Sequence, residues 1–579
     1  MALARRADVD LFTVEIVKDA LVAIGDEMFI ALQRTSKSTI IYEVLDFASG
    51  LTDAQGQLIT QGNGVTGFLG TLTFAVRTTL QKFGPENLHP GDVVITNDPY
   101  GGGGTHLSDV SLIVPIFYEG KLVAFSASKA HWTEVGGKDP GSWTTDSTEV
   151  FQEGLQFPCV KLYEAGKPIQ SMVDLIAANV RLPDMTLGDM HAQAASLRLG
   201  ERRFQELCQK YGLDVVQTSI EALLDYGERM TRLELSKLPQ GVYEAEDWID
   251  DDGIGHGPFP VRLKITITDD EFICDFTGTH PQVQGPVNCT LTSLHSGVRT
   301  MLKAITNPTI PANEGCFRPL KIICPPGTIF SAQRPAAVST YWETMNYVTD
   351  LVWKALAPIV PERLTAGHFL SVCGIVLAGT HPDTHELFLL VEPQAGGWGA
   401  GAAKDGESGL MCVGDGETYV IPVEVTETRY GVTVDCYELD AAPPAGAGRH
   451  RGGRGCIRAY RAAVDDVTLT ATFGRHKYVP WGTAGGHDGS RNEVRILRND
   501  GSEVVVGKCA RFPLKRGEVA QLITGTGGGW GSPLERPVDA VIEDVRNGYV
   551  SLEQARQDYG IELDAETLTV VSLSPERKA

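Results

Sequence analysis

Asn97-Asp98-Pro99-Tyr100-Gly101-Gly102-Gly103-Gly104-Thr105-His106-Leu107-Ser108-Asp109 is followed by two apolar runs and then by His131-Trp132-Thr133-Glu134-Val135-Gly136-Gly137. The runs, Val110 to Phe117 and Lys121 to Ser128, are separated only by Tyr118-Glu119-Gly120. Runs of this length and chemistry around so short a polar link predict a β-hairpin. With the turn centred on Glu119, residues whose numbers sum to about 238 face each other, because pairing register follows the turn. That places His131 opposite Leu107, beside the segment His106 to Asp109. Two imidazoles and a carboxylate then converge at the open end of one ribbon, a common ligand set for a divalent metal such as zinc, manganese or iron.

Asp46 lies in the run Leu45-Asp46-Phe47-Ala48-Ser49, read as part of a strand from Val44 to Leu51. A carboxylate inside an apolar run is costly unless something pairs with it, so Asp46 is a candidate fourth ligand. A plainer reading of the same residues stands beside this one. A histidine near a strand end is usually a surface or hydrogen-bonded residue, and Asp98-Pro99 and Asp109 have the chemistry of turn formers. The run Gly101 to Gly104 lacks the Gly-Lys-Ser/Thr ending of a phosphate-binding loop. Its glycines are read as letting the backbone close around a site. No nucleotide fingerprint and no Gly-x-Ser-x-Gly elbow appear, so any ATP chemistry belongs to another chain.

Working outward, Leu11 to Thr35 and Leu72 to Phe83 have helical spacing, and Val93 to Thr96 reads as a strand. Ser171 to Leu182, His191 to Tyr211 and Val216 to Leu238 follow as helices, then a strand pair at Val261 to Ile267 and Glu271 to Phe276. Cys289 to Ile305 and Tyr341 to Leu356 are helical, and the final third is rich in strands and glycine. The predicted fold class is mixed α and β (α+β) and multi-lobed. Its parts are an N-terminal α/β region with the metal site (1–165), a helical region (166–243), a mixed region (244–365), a strand- and Gly-rich region (366–535) and a helical tail (536–579).

The 579 residues carry a formal net charge of −23, with 42% apolar and 21% charged side chains. Such an acidic surface disfavours nucleic-acid binding. Eleven cysteines without a CxxC pair read as reduced thiols of a cytoplasmic protein. No apolar run approaches the ~20 residues that span a bilayer.

The Asn97–Tyr100, Gly103–Asp109 and His131–Gly137 segments resemble the hydantoinase B/oxoprolinase family. So do Thr148-Glu149-Val150-Phe151-Gln152-Glu153-Gly154, Asn179-Val180-Arg181-Leu182-Pro183, Gly448 to Gly453 and Thr526 to Gly531. The resemblance implies the metal-bearing subunit of an ATP-dependent hydrolase that opens a cyclic amide or imide of the hydantoin, 5-oxoproline or lactam type. The partner it implies is a hydantoinase A-like chain that binds ATP and magnesium, in a heterotetramer or larger assembly. The alternatives are a subunit of an acetone- or acetophenone-type carboxylase and a non-catalytic scaffold. Carried over residue by residue, the metal ligands fall on Asp46, His106, Asp109 and His131. Glu134 is the candidate catalytic residue, with its role, as outer-shell group, base or neither, left open. Three departures stand out: a glycine run one residue longer than usual, Glu134 where Asp is usual, and Asp46-Phe-Ala-Ser in place of Asp-Phe-Ser-Cys.

Overall fold

The computed structural model describes residues 9–577; the polar lead-in Met1 to Asp8, read as running into the first helix, lies outside them. By its internal contacts the chain groups into two compact units. The first comprises residues 1–242, 264–345 and a short return stretch, 414–419; the second comprises 243–263, 346–413 and 420–579.

The first unit is built on a seven-stranded sheet. In chain order its strands are β1 (Phe47–Asp53), β2 (Leu58–Gly64), β3 (Val93–Thr96), β4 (Asp109–Tyr118), β5 (Lys121–His131), β6 (Val160–Glu164) and β7 (Lys167–Pro168). They lie in the order β2-β1-β5-β4-β3-β6-β7, and every pairing is antiparallel. The helices are α1 (Leu11–Thr35), the single turn α2 (Thr39–Tyr42), α3 (Thr71–Phe83), α4 (Gln170–Asn179), α5 (Pro183–Tyr211), α6 (Leu213–Leu235) and α7 (Leu291–Ile305). A further helix, α8 (Tyr341–Leu356), contributes its first five residues to this unit.

The predicted hairpin forms, but in a different register. Its link is two residues, Glu119 (φ +49°) and Gly120 (φ +76°), both left-handed as a tight hairpin turn requires. A bulge between Ile116 and Phe117 then shifts the pairing by one. His131 therefore pairs with Asp109 and not with Leu107. The strand expected from Val44 begins only at Phe47. Leu45 adopts φ +65° and breaks the extended run, so Asp46 stands just before β1.

Alternation along the ribbon sorts its two faces. Ile113, Phe125 and Ala127 pack with Leu72, Ala75 and Val76 of α3 in one buried cluster. The opposite face meets α5, where the Ser126 hydroxyl donates to the Leu197 carbonyl. Gln193 of α5 staples the ribbon: its amide donates to the carbonyls of Val110 (3.0 Å) and Ser128 (3.3 Å), and its oxygen accepts from Trp132 Nε1. Helix α5 begins at Pro183, eight residues before the predicted start, because proline is at home in a first helical turn.

In the second unit one antiparallel sheet runs Leu387–Glu392, Gly374–Thr380, Val467–Thr472, Lys508–Leu514, and another runs Val432–Leu439, Cys456–Ala462, Val519–Ile523, Glu493–Leu497, Glu503–Val506. The glycine runs around them are packing devices. Gly397 N donates to Gly525 O and Gly527 N to Gly453 O, both at 3.0 Å. A Cβ on Gly452 would sit 1.9 Å from Gly527 O. All eleven cysteines are unpaired. No helix among the described residues is long and apolar enough to cross a membrane.

His476 in this unit ties the Asp250-Asp251 loop down: Nε2 lies 2.9 Å from Asp251 and Nδ1 3.1 Å from Asp250. Lys477 and Lys508 also reach Asp251. Burial opposes the imidazolium, but the two carboxylates outweigh it and raise its pKa from 6.5 to about 9. A raised pKa means stability fully present below pH 6.5 and lost as the pH climbs through 9. At about 1.4 kcal/mol per tenfold change in proton affinity, the effect reaches roughly 3 kcal/mol. Thermal unfolding should therefore show His476→Gln well below wild type at pH 6, with the gap closing near pH 10; an equal gap at both would refute the assignment.

Candidate metal centre

Three chain segments end together at one end of the ribbon. His131 closes β5, Asp109 opens β4 directly opposite it, and the Asp46 carbonyl accepts the His131 backbone N–H at 3.0 Å. His106 reaches in from the loop before β4, its Nε2 lying 3.1 Å from Asp109 Oδ1. One ligand atom each from His106, Asp109 and His131 lie within 4.8 Å of one another, and Asp46 stands outside that group of three. His106, Asp109 and His131 are 2%, 1% and 3% exposed, so their polar atoms have little access to water.

The hydrogen bonds around the cluster aim it. His106 Nδ1 lies 3.1 Å from the Ser339 carbonyl. A carbonyl has no proton to give, so Nδ1 carries a hydrogen, and with no second proton on the ring Nε2 would present a lone pair. That lone pair and Asp109 Oδ1 are then two acceptors at 3.1 Å, an arrangement that calls for a proton or a cation between them. Asp109 Oδ2 is separately satisfied by the Tyr341 hydroxyl, which donates at 3.0 Å, and by the Thr105 hydroxyl. His131 Nδ1 is buried without a hydrogen-bond partner.

The electrostatics carry the same imbalance. Burial, followed by the charges of Asp109 and Asp415, pushes the Asp46 carboxyl well above the usual range. Asp415, from the return stretch 414–419, is raised to about 7 by burial and by Asp109. Burial would raise Asp109 too, but His106, His131 and Lys129 hold it well below the usual range. His131 is lowered to about 4, chiefly by burial, so it is neutral at neutral pH and free to ligate. Against these three carboxylates stands the buried ammonium of Lys129, lowered by burial to about 8. It donates to Gly103 O at 2.7 Å. The raised Asp46 and Asp415 carboxyls favour their protonated forms, and a bound divalent cation would favour their ionised ones. The donor set and the charge both fit such an ion.

Glu134, three residues past His131, is fully buried and occupied elsewhere. Its Oε1 accepts from Gly136 N and Arg181 Nη1, both at 2.8 Å, and its Oε2 from Gly141 N at 3.0 Å. Arg181 also donates to the carbonyls of Gly137 and Asp139, so the pair holds the 136–141 loop in shape. Asn97 plays a similar part: its amide donates to Leu107 O and Leu155 O, and its oxygen accepts from Phe157 N.

Several residues of the site are not foreseen from the sequence. Lys129 had a signal, a lysine two positions before His131 in an alternating buried strand. Tyr341, Trp342, Ser339 and Asp415 lie more than two hundred residues from His131 and had none. Tyr341 and Trp342 flank His106, each ring 5.2 Å away, and Trp143 stands edge-on to Trp342. Trp342 Nε1 is buried without a partner.

A chain of this fold with this cluster is a mixed α/β protein carrying a buried two-His, one-Asp site. Its sequence matches the hydantoinase B/oxoprolinase family over residues 10–533, and it belongs to that family. It is 32% identical to the beta chain of caprolactamase from Pseudomonas jessenii, over 96% of this chain and 97% of that one. It is also 32% identical to a putative D-/L-hydantoinase chain of the B type from a Pseudomonas species (strain NS671), over 98% of both. The crystal structure of ATP-dependent caprolactamase from Pseudomonas jessenii superposes with a TM-score of 0.89 at 30% identity, covering 96% of this chain and 97% of that one. The nucleotide-free structure of acetone carboxylase, at 20% identity, shares the fold with a TM-score of 0.89, covering 97% of this chain and 81% of that one.

The glycine run offers a direct check on how the loop reaches His106. A Cβ on Gly103 (φ +77°) would meet Ala75 N at 2.5 Å, and one on Gly104 would meet Asn97 O at 2.3 Å. One on Gly101 finds only Asp98 Oδ2, at 3.8 Å. Gly101→Ala should leave stability within about 0.5 kcal/mol of wild type, whereas Gly103→Ala should cost about 2 kcal/mol or more. Chemical denaturation of the two variants measures the difference.

Proposed function

We propose that this chain is the metal-bearing subunit of an ATP-dependent hydrolase that opens a cyclic amide or imide, acting with a separate ATP-binding chain. One observation carries the metal half of the reading: a ring nitrogen of His106, an oxygen of Asp109 and a ring nitrogen of His131 lie within 4.8 Å of one another in a buried cluster, with His106 held through Nδ1 by the Ser339 carbonyl. Family membership and the caprolactamase and hydantoinase relatives support the substrate class. That such relatives are named as single subunits of larger enzymes supports a partner.

In this reading His106, Asp109 and His131 hold one divalent ion, zinc, manganese or iron, with Asp46 alongside as a fourth ligand. When bound, such an ion supplies Lewis acidity toward a carbonyl or water oxygen. Thr105 and Tyr341 occupy Oδ2 of Asp109 and so turn Oδ1 to the ion. Lys129 offsets part of the carboxylate charge from behind. Tyr341, Trp342 and Trp143 form an aromatic wall for a small ring, and Trp342 Nε1 is a donor for one of its oxygens. Glu134 is a positioning residue that fixes the 136–141 loop beside the site. Activation of the amide oxygen by phosphorylation falls to the partner, because this chain has no phosphate-binding loop and its glycine runs are committed to packing.

Elemental analysis tests this directly. Wild type is expected to hold about one zinc, manganese or iron per chain, the stoichiometry of a single closed ligand set, and His106→Ala and His131→Ala should each lose it. With the ATP-binding partner, Asp109→Asn should lower ATP-dependent ring opening of hydantoins, 5-oxoproline or lactams by at least about 100-fold, the scale on which a lost ligand acts. Metal-free wild type after reconstitution would favour the scaffold reading. Labelled bicarbonate appearing in a ketone-derived product would replace the hydrolase with a carboxylase.

A further inference from the structure

Glu153 is 2% exposed and lies in the Thr148–Gly154 segment, to which no part of the metal chemistry assigns a task. Its Oε1 accepts from the backbone N–H groups of Val338 and Ser339, each at 3.0 Å, and from the Ser147 hydroxyl at 2.7 Å; Oε2 takes a second, longer bond from Val338 N. None of these partners is basic. The carboxylate is thus spent on gripping two consecutive peptide units. The next peptide group along bears the Ser339 carbonyl, the atom that faces His106 Nδ1. The Ser339 hydroxyl is pinned as well, accepting from Thr144 N at 2.8 Å. The neighbouring chain is clamped from the same side, Val150 N donating to Pro335 O at 3.0 Å.

We infer that Glu153 is a positioning residue for the metal site: by holding the Val338-Ser339 backbone it aims the Ser339 carbonyl at His106 and fixes that ring with its proton on Nδ1 and its lone pair on Nε2. A ring nitrogen's hydrogen-bond partner decides which nitrogen is left to ligate, and such outer contacts typically carry about 10–100-fold in metal affinity. The inference rests on the metal reading above, but the tautomer it asserts exists with or without the ion. It also says which features of Glu153 matter. All three shorter contacts fall on one oxygen, so an amide of the same length retains them, whereas a shorter side chain cannot reach.

The test uses the full-length chain with Glu153→Gln, Glu153→Asp and Glu153→Ala. Ring 15N shifts of metal-free, histidine-labelled protein, with His106 assigned from His106→Gln, report the tautomer; titration with Co2+ alone, followed by visible absorption, reports affinity. Wild type and Glu153→Gln should show His106 protonated on Nδ1 and agree in Co2+ affinity within about threefold. Glu153→Asp and Glu153→Ala should show mixed tautomers and bind Co2+ about 10–100-fold more weakly. If Glu153→Ala fails to fold, Glu153→Asp carries the comparison. Unchanged His106 shifts and a Co2+ affinity within about twofold in Glu153→Asp would overturn the inference and leave Glu153 a loop prop. Failure of wild type to take up Co2+ would overturn the metal reading instead, and the ring shifts would still decide for or against Glu153.

Discussion

The pairing of Asp109 with His131 across the β4–β5 ribbon is the constraint on which the site depends. It is a backbone constraint before it is a chemical one. A two-residue turn with both residues left-handed, plus one bulge, sets the register at the far end of the ribbon. A slip of one residue would send one of the two side chains to the α5 face, since the side-chain period of a strand is two. The staple made by Gln193 and the bond from His131 N to Asp46 O oppose that slip from two directions. Precision for Asp109 and His131 comes from the sheet, while His106 depends on the loops that hold it.

Electrostatics then decides what such a cluster can be. Three carboxylates in a dry pocket would repel one another, and burying an unpaired ion costs several kcal/mol. Lys129 offsets the charge of Asp109. The raised carboxyls of Asp46 and Asp415 relieve the rest by favouring their protonated forms, a balance that a bound cation would reverse. Arg475 with Asp247 and Asp350 in the second unit makes the contrast: equally buried, the three are joined by direct hydrogen bonds from guanidinium to carboxylate, with no lone pairs left facing each other. That contrast sets the His106–Asp109–His131 cluster, a candidate site, apart from a strut.

Much of this was legible in the sequence, for identifiable reasons. The hairpin could be read because two apolar runs flank the short link Tyr118-Glu119-Gly120, and α8 because its apolar residues keep helical spacing from Tyr341 to Leu356. His106, Asp109 and His131 could be grouped because all three lie within one supersecondary unit. What failed was local geometry that composition does not encode, the bulge at Ile116 and the left-handed Leu45 that ends the strand before Asp46, together with a helix-start signal at Pro183 that went unused. What stayed hidden was non-local. Ser339, Tyr341 and Asp415 reach the site through the fold, and no periodicity within their own segments marks them. Glu134 stood in the right stretch, yet only the structure reveals that both its oxygens are engaged by the loop it shapes and by Arg181.

The interlocked glycines of the second unit have a consequence for any deep mutational survey. Gly452, Gly453, Gly455 and Gly527 each lie where a methyl group would overlap a neighbouring carbonyl oxygen, at 2.0 Å or less from a backbone atom. Selection for folding alone would purge variants at these positions as severely as selection for catalysis would purge the histidines of the cluster if they hold the proposed metal. A map of intolerance would therefore light up two regions of very different meaning. Only comparison of protein abundance with turnover, variant by variant, would tell the seam that keeps two backbones in contact from a cluster proposed to bind a metal.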